Sequence, residues 1–131
     1  MKVMALDYGS ARTGVAVSDP TGVIARPLRV IERVRSEAGL EELVQLVDNE
    51  EPEQMIVGLP LTLRGEHGEQ ARETEAFAEK LRGILDVPVL LWDERFTTDL
   101  AQQTPSTSPE DARAAAHLLS GYLAWSSGDP A

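Results

Sequence analysis

The spacing of apolar residues changes along the chain and separates its predicted strands from its predicted helices. The first apolar stretch, 2–7, is short and ends in an acid, which is typical of a central strand. A glycine-rich turn leads to a second strand over 15–18, and so short a connection makes the pair an antiparallel hairpin. A third strand is expected within 23–34, interrupted near Pro27, because proline is best tolerated at a sheet edge.

Helical spacing begins in the next part of the chain. Apolar residues at positions 40, 43, 44 and 47 predict a helix over 37–50. The later elements are then predicted in the order strand 55–59, glycine-containing loop 61–68, helix 69–85, strand 87–92 and helix 109–125, with a possible short helix over 97–103.

This order of elements predicts one α/β domain, a five-stranded mixed sheet flanked by helices. The strand–helix–strand crossover makes the fourth and fifth strands parallel, whereas the first hairpin is antiparallel. We place the domain at 1–125 and a flexible C-terminal tail at 126–131. Ligands of such sheets gather at the carboxyl ends of the parallel strands. Asp7, 59–60 and 93–94 are predicted to lie at such ends.

The composition narrows the possible chemistry. The absence of cysteine removes disulfides, thiolate zinc ligands and thiol nucleophiles, and it fits a reducing compartment. The sequence has no signal-peptide core and no apolar run that could span a bilayer, so we expect a cytoplasmic protein without a membrane partner. The net charge of −10 argues against indiscriminate nucleic-acid binding, although a bound cation could still attract phosphate.

Positive charge is concentrated in one stretch, 26–35, which holds four arginines and a single acid, Glu32. The arginines could form a patch that faces a substrate, or they could be scattered over the surface. The sequence leaves these two interpretations equally open.

Three acidic positions can converge: Asp7, the pair 93–94, and Asp111 at the start of the last helix. Carboxylates that are brought together repel one another unless a cation lies between them, and hard cations such as Mg²⁺ or Mn²⁺ prefer oxygen ligands. Two such ions can activate a water and stabilise the leaving oxygen of a phosphodiester. Each acid also has a structural interpretation, since Asp7 could bind the following turn and Asp111 could complete a capping box with Ser108.

The turn after Asp7 favours contact with phosphate. Gly9 and Gly14 permit close approach of the backbone, and Arg12 can pair with a phosphate oxygen. The turn is only weakly specific, because actin-like and sugar-kinase ATPases begin similarly. Those enzymes need two domains around a cleft, whereas this chain has room for one.

Four motifs occur in an order that resembles the RuvX (YqgF) family of Holliday-junction-resolvase-like nucleases. They are LDYGSARTGVAVSD (6–19), VGLP (57–60), WDERFTT (92–98) and DARAAAHLLSGYL (111–123). The resemblance covers nearly the whole chain. It implies a ribonuclease H-like fold and a metal-dependent nuclease using Mg²⁺ or Mn²⁺, in a family linked to maturation of the 5′ end of pre-16S ribosomal RNA.

The resemblance also implies an acidic triad that maps onto Asp7, an acid of the 93–94 pair, and Asp111. Adjacent residues of a strand point in opposite directions, so only one acid of the pair can face the site. We favour Glu94 over Asp93, although the sequence does not determine which of them faces it. These three acids are the expected catalytic residues and metal ligands, and substrate binding is assigned to Gly9, Arg12, Arg95 and Thr97.

The chain departs from the family pattern in one segment. The family usually carries a longer loop rich in lysine and arginine at this place. In this chain the corresponding segment, 102–110, is short and includes no basic residue. This departure counts against tight binding of a four-way junction and gives more weight to 26–35, Arg12 and Arg95.

Our leading hypothesis is a nuclease of pre-16S rRNA maturation. The alternatives are a Holliday junction resolvase, and a non-catalytic nucleic-acid-binding or ribosome-assembly module. The expected partner is precursor rRNA or branched DNA, bound by a monomer or a homodimer.

Overall fold

The computed structural model describes residues 1–60, 68–93 and 110–126, with the backbone alone described at positions 110 and 111. The strands are β1 (Val3–Asp7), β2 (Arg12–Ser18), β3 (Ala25–Glu32), β4 (Gln54–Leu59) and β5 (Val89–Asp93), and the helices are α1 (Glu37–Glu50), α2 (Glu69–Ile84) and α3 (Glu110–Ser126).

The strands lie side by side in the order β3-β2-β1-β4-β5. β2 pairs antiparallel with β1 and β3, while β4 pairs parallel with β1 and β5. The predicted mixed α/β sheet is therefore confirmed, with β1 at its centre. We call the edge where β1, β4 and β5 end the carboxyl edge, and the opposite edge the amino edge.

The strand boundaries differ most from the prediction at β2, which begins at Arg12 rather than at residue 15. From the sequence, Gly14 was expected to belong to the turn, but it pairs with Asp7 of β1 on one side and with Val30 of β3 on the other. Pro27 lies on the outer strand β3, beside a register shift in the β2–β3 ladder, as expected of a proline at a sheet edge. The predicted helix 97–103 and the tail beyond Ser126 lie outside the described residues.

Helix α1 follows the prediction residue for residue, because its periodicity and its capping agree. The Ser36 hydroxyl accepts the backbone N–H of Gly39 at 3.0 Å, which satisfies a donor at the start of the helix. Leu43 and Leu46 are buried on the inner face of α1. The helix ends at Glu51, whose left-handed backbone has φ 51°.

Two apolar cores cover the two faces of the sheet, because side chains alternate along each strand. Met4 and Leu6 of β1 pack on the face that α1 and α2 cover, with Phe77 of α2 as the largest fully buried side chain. Val3 and Ala5 pack on the other face, against α3. The Tyr122 hydroxyl near the end of α3 donates to Gln54 at the start of β4. Helix α3 therefore runs from the carboxyl edge to the amino edge.

Candidate active site

Asp7 is the last residue of the central strand and lies at the carboxyl edge, where the sequence predicted it. Alternation along β1 puts its side chain on the same face as Val3 and Ala5, which is the α3 face. Its partner across the β1–β2 ladder is Gly14. On the other side of β1, Leu6 pairs with Val57 of β4, so the residue of β4 that continues this register beside Asp7 is Gly58. The neighbouring positions on both adjoining strands are therefore glycines, which add no side chain next to Asp7.

Alternation along β5 also determines the face of the sheet on which Asp93 lies. Val89 and Leu91 pack on the α1 and α2 face, whereas Trp92 packs against α3. Asp93 follows Trp92 and is therefore on the face opposite to Asp7. This placement argues against Asp93 as a partner of Asp7 at one metal ion, and Glu94 itself lies outside the described residues.

The third predicted acid, Asp111, belongs to the first turn of α3. Because α3 starts at the carboxyl edge and covers the face toward which Asp7 points, the backbone of Asp111 lies at the same end of the sheet as Asp7. The structure thus brings two of the three acidic positions to one edge and one face.

The turn between β1 and β2 is closed by Thr13, a residue that the sequence reasoning missed. Thr13 is fully buried, and its hydroxyl donates to the Gly9 carbonyl at 3.2 Å. The Thr13 hydroxyl oxygen also accepts the Gly9 N–H at 3.4 Å. At Gly9, a Cβ would lie 2.4 Å from the Arg12 carbonyl oxygen, so only glycine fits without a backbone shift. The sequence offered only a threonine four residues after a glycine, which by itself does not indicate this role.

Arg12 begins β2 at the carboxyl edge, and its side chain is exposed. The turn thus presents a guanidinium close to the strand end that carries Asp7. Of the other predicted substrate-binding residues, Gly9 lies in this turn, while Arg95 and Thr97 lie outside the described residues.

The arginines of 26–35 are spread along the full length of β3 and beyond it. Arg26 pairs with Val17 near the amino edge, and it lies 3.8 Å from the Glu50 carboxylate. Arg29 lies 3.4 Å from the Glu42 carboxylate of α1. These two arginines interact with α1, which leaves Arg33 and Arg35, after the end of β3, closest to the carboxyl edge.

A small cleft of about 340 Å³ adjoins the turn, between residues 8–10 and the first turns of α2. The Tyr8 ring stacks on Phe77 with ring centroids 4.7 Å apart and is almost fully buried. Two acids of α2, Glu69 and Glu73, line the cleft, so its charge does not favour phosphate.

Within the ranges 1–60, 68–93 and 110–126, no group of three histidine, cysteine or acidic side chains could hold a metal ion. Of the predicted triad, only Asp7 has a described side chain. A carboxylate at a strand end has the oxygen donor chemistry that a hard cation prefers.

Comparison with known families decides the relationship. The family model described as RuvX: Holliday junction resolvase matches residues 1–125. The chain belongs to the RuvX family. The resemblance drawn from the sequence motifs is thereby confirmed.

Two relatives carry the name pre-16S rRNA nuclease. The protein from Sulfurihydrogenibium sp. (strain YO3AOP1) is 40% identical, over 93% of this chain and 89% of the relative. The protein from Roseiflexus sp. (strain RS-1) is also 40% identical, over 86% of this chain and 82% of the relative. Together with the RuvX match, they make this protein a nuclease, an enzyme that hydrolyses phosphodiester bonds.

Solved structures support the fold. T. thermophilus RuvC in complex with a Holliday junction substrate has a TM-score of 0.59 and 17% identity, over 98% of this chain and 97% of RuvC. The fowlpox virus Holliday junction resolvase has a TM-score of 0.55 and 11% identity, over 94% of this chain and 98% of that chain. The expected ribonuclease H-like fold is confirmed. Across the described segments, no helix combines the length and apolar character needed to cross a membrane.

Proposed function

We propose that this RuvX protein is a Mg²⁺- or Mn²⁺-dependent nuclease that matures the 5′ end of pre-16S rRNA. The observation that carries the proposal is Asp7 at the end of the central strand, beside Gly14 and the position of Gly58, on the face where α3 begins. The names of the relatives support the choice of RNA. A chain without cysteine suits the reducing cytoplasm as its place of action.

The proposed metal ligands are Asp7, Glu94 and Asp111. Glu94 is preferred to Asp93 because Asp93 is on the face opposite to Asp7. When bound, Mg²⁺ or Mn²⁺ would supply positive charge to the scissile phosphate and help to activate a water. This function also requires the carboxylates to remain ionised, and a bound cation favours that form.

The turn after Asp7 would bind the substrate backbone. Arg12 is exposed at the carboxyl edge and can donate two hydrogen bonds to a phosphate. Gly9 lets the RNA backbone approach closely, and the Thr13 hydroxyl holds the turn in shape. Arg95 and Thr97 complete the proposed substrate contacts.

The first test replaces the Asp7 carboxylate with an isosteric amide. We expect Asp7→Asn to lower the cleavage rate by about a thousandfold, because several kcal/mol of charge stabilisation are lost and about 1.4 kcal/mol corresponds to a tenfold change. Asp48→Asn, which removes an exposed acid of α1, is the matched control and should cleave at the wild-type rate. Wild-type cleavage by a folded Asp7→Asn protein would overturn the assignment.

The second measurement identifies the substrate. Pre-16S rRNA with its 5′ flanking sequence, an unstructured RNA of equal length and a four-way DNA junction are incubated with the protein in Mg²⁺ or Mn²⁺. We expect cleavage at the mature 5′ end of the rRNA precursor. Paired, symmetric cuts in the junction without rRNA cleavage would favour a resolvase, whereas binding without any cleavage would favour a non-catalytic module.

A further inference from the structure

An open groove of about 470 Å³ lies at the amino edge, on the opposite side of the sheet from Asp7. It is bounded by the C-terminal ends of α1 and α2 and by the segments that lead into β4 and β5. Its floor is apolar, and three of the floor side chains, Val47, Leu85 and Val87, are half-buried because they pack on the core below. Ile84 at its margin is 49% exposed. The floor residues are Val44, Val47, Pro52, Leu85, Val87 and Pro88.

Four acids surround this floor, and none of the described residues that line the groove is basic. Glu53 accepts a hydrogen bond from the Lys2 backbone N–H. The side chains of Asp48, Glu51 and Asp86 form no hydrogen bond or ion pair within the described part of the chain. The apolar floor thus has a rim of uncompensated negative charge.

The end of α1 adds to this negative charge. Cations stabilise a helix C-terminus, but the last turn of α1 has no basic residue, and the helix ends at Glu51. Helix α2 provides an internal contrast, because Arg82 in its last turn binds the Val89 carbonyl and pairs with Glu79. Helix α1 has no such residue of its own, and the two cations that approach its end, Lys2 and Arg26, pair with Glu50 rather than with the acids of the groove.

We propose that this groove binds an extended basic segment of a partner protein, which inserts an apolar side chain beside Ile84 and places lysine or arginine against the acidic rim. The charge pattern favours such a segment over nucleic acid, whose phosphates the rim would repel. It also disfavours a second copy of this chain, because that copy carries the same net charge of −10. Since the groove and Asp7 lie at opposite edges, partner and substrate can bind together. The inference does not depend on the proposed function.

The test uses a fluorescently labelled peptide of alternating arginine and leucine as the probe, with a glutamate–leucine peptide of the same length as its counterpart. Binding is measured by fluorescence anisotropy at 0.15 M salt on the whole protein. The groove variant Glu51→Gln/Asp86→Asn is compared with Glu37→Gln/Glu41→Gln, which removes the same charge at the other end of α1. We expect the groove variant to bind the basic peptide about threefold or more weakly, and the control to bind like wild type.

A second pair of variants tests the apolar contact. Ile84→Ser should weaken binding by about tenfold, because burying a large apolar side chain contributes at least about 1.5 kcal/mol. Ile24→Ser is its control, since Ile24 is 66% exposed and does not line the groove. Equal binding by Ile84→Ser and Ile24→Ser would overturn the proposal. So would an RNA oligonucleotide that competes for the groove, or a sedimentation shift in which Ile84→Ser abolishes self-association.

Discussion

The two edges of the sheet both carry carboxylates, but they place them in different surroundings. At the carboxyl edge, Asp7 ends a buried strand beside Gly14, under the start of α3. At the amino edge, Asp48, Glu51 and Asp86 are exposed around an apolar groove. A carboxylate that is confined between strands suits a small hard cation, whereas exposed carboxylates around an apolar floor suit a basic peptide. The comparison shows that net charge alone does not indicate the ligand.

Apart from Asp7→Asn, the substitution at either edge that should lower stability and cleavage most is Gly9→Ala. Its Cβ would lie 2.4 Å from the Arg12 carbonyl oxygen, and the clash can be relieved only by a shift of the backbone. We expect a loss of about 1–3 kcal/mol in the free energy of unfolding. Cleavage should fall by about tenfold or more in protein that remains folded, because Gly9 and Arg12 bind the substrate in our proposal.

The control for this variant is Gly83→Ala in α2, where an added Cβ would meet no atom within 4 Å. That change should stabilise the protein by about 0.5–1 kcal/mol, because alanine loses less backbone entropy in a helix. Urea unfolding and single-turnover cleavage measure the two quantities. Equal cleavage by the two variants would remove the distinction between the carboxyl edge and the rest of the surface.

A smaller effect is expected from Thr13→Val, which deletes the hydroxyl that closes the turn. The loss of its hydrogen bond to Gly9 should cost about 1 kcal/mol of stability and lower cleavage by up to about tenfold. Thr74→Val is the matched control, because Thr74 is equally buried and donates to the Gln70 carbonyl within α2. It should lower stability without lowering cleavage.

The conservative variant Thr13→Ser separates positioning from stability. Serine keeps the hydroxyl, so cleavage should recover toward the wild-type rate even if the lost methyl group leaves the protein less stable. Cleavage that instead follows stability across all three variants would mean that Thr13 is only a packing residue.

The sequence predicted the elements well where one signal dominated. In α1, the helical spacing of the apolar positions 40, 43, 44 and 47 predicted the observed range, and no other local signal opposed it. In β2, two principles conflicted, because Gly14 is a turn former in isolation but here lies buried beside Asp7. Only the pairing of β2 with both neighbours, a long-range property, determines that outcome.

The candidate site was predictable in type but not in detail. The sequence identified Asp7 from its position at the end of an apolar strand. It favoured Glu94 over Asp93 but left the pair open, because the choice depends on which face of β5 packs against α3. Trp92 contacts that helix, which puts Asp93 on the other face and supports the proposal of Glu94, and a single sequence cannot reveal this contact. The role of Thr13 also depends on the closed shape of the turn.

The smallest expected effect is on stability, and it comes from the turn after β2, which lies at the amino edge. The Asp19 carboxylate accepts hydrogen bonds from the Thr21 hydroxyl and from the backbone N–H groups of Ile24 and Val23, the last two at 2.8 Å. These bonds favour the ionised form and hold the pKa of Asp19 far below its ordinary value of 3.8. Because the folded pKa is the lower one, Asp19 stabilises the fold above pH 3.8, and that contribution is lost as the pH falls further.

We therefore expect the Tm difference between wild type and Asp19→Asn to be largest at neutral pH and to shrink steadily as the solution is acidified below pH 3.8. Thr21→Val removes the hydroxyl donor alone, so it should show a weaker form of the same pH dependence. Cleavage at neutral pH should stay at the wild-type rate in both variants, because the turn lies at the edge away from Asp7. A Tm difference that does not change with pH would contradict the ionised hydrogen-bonded turn. Slower cleavage would instead mean that the two edges are coupled through β2, whose first residue is Arg12 and whose last residue precedes Asp19.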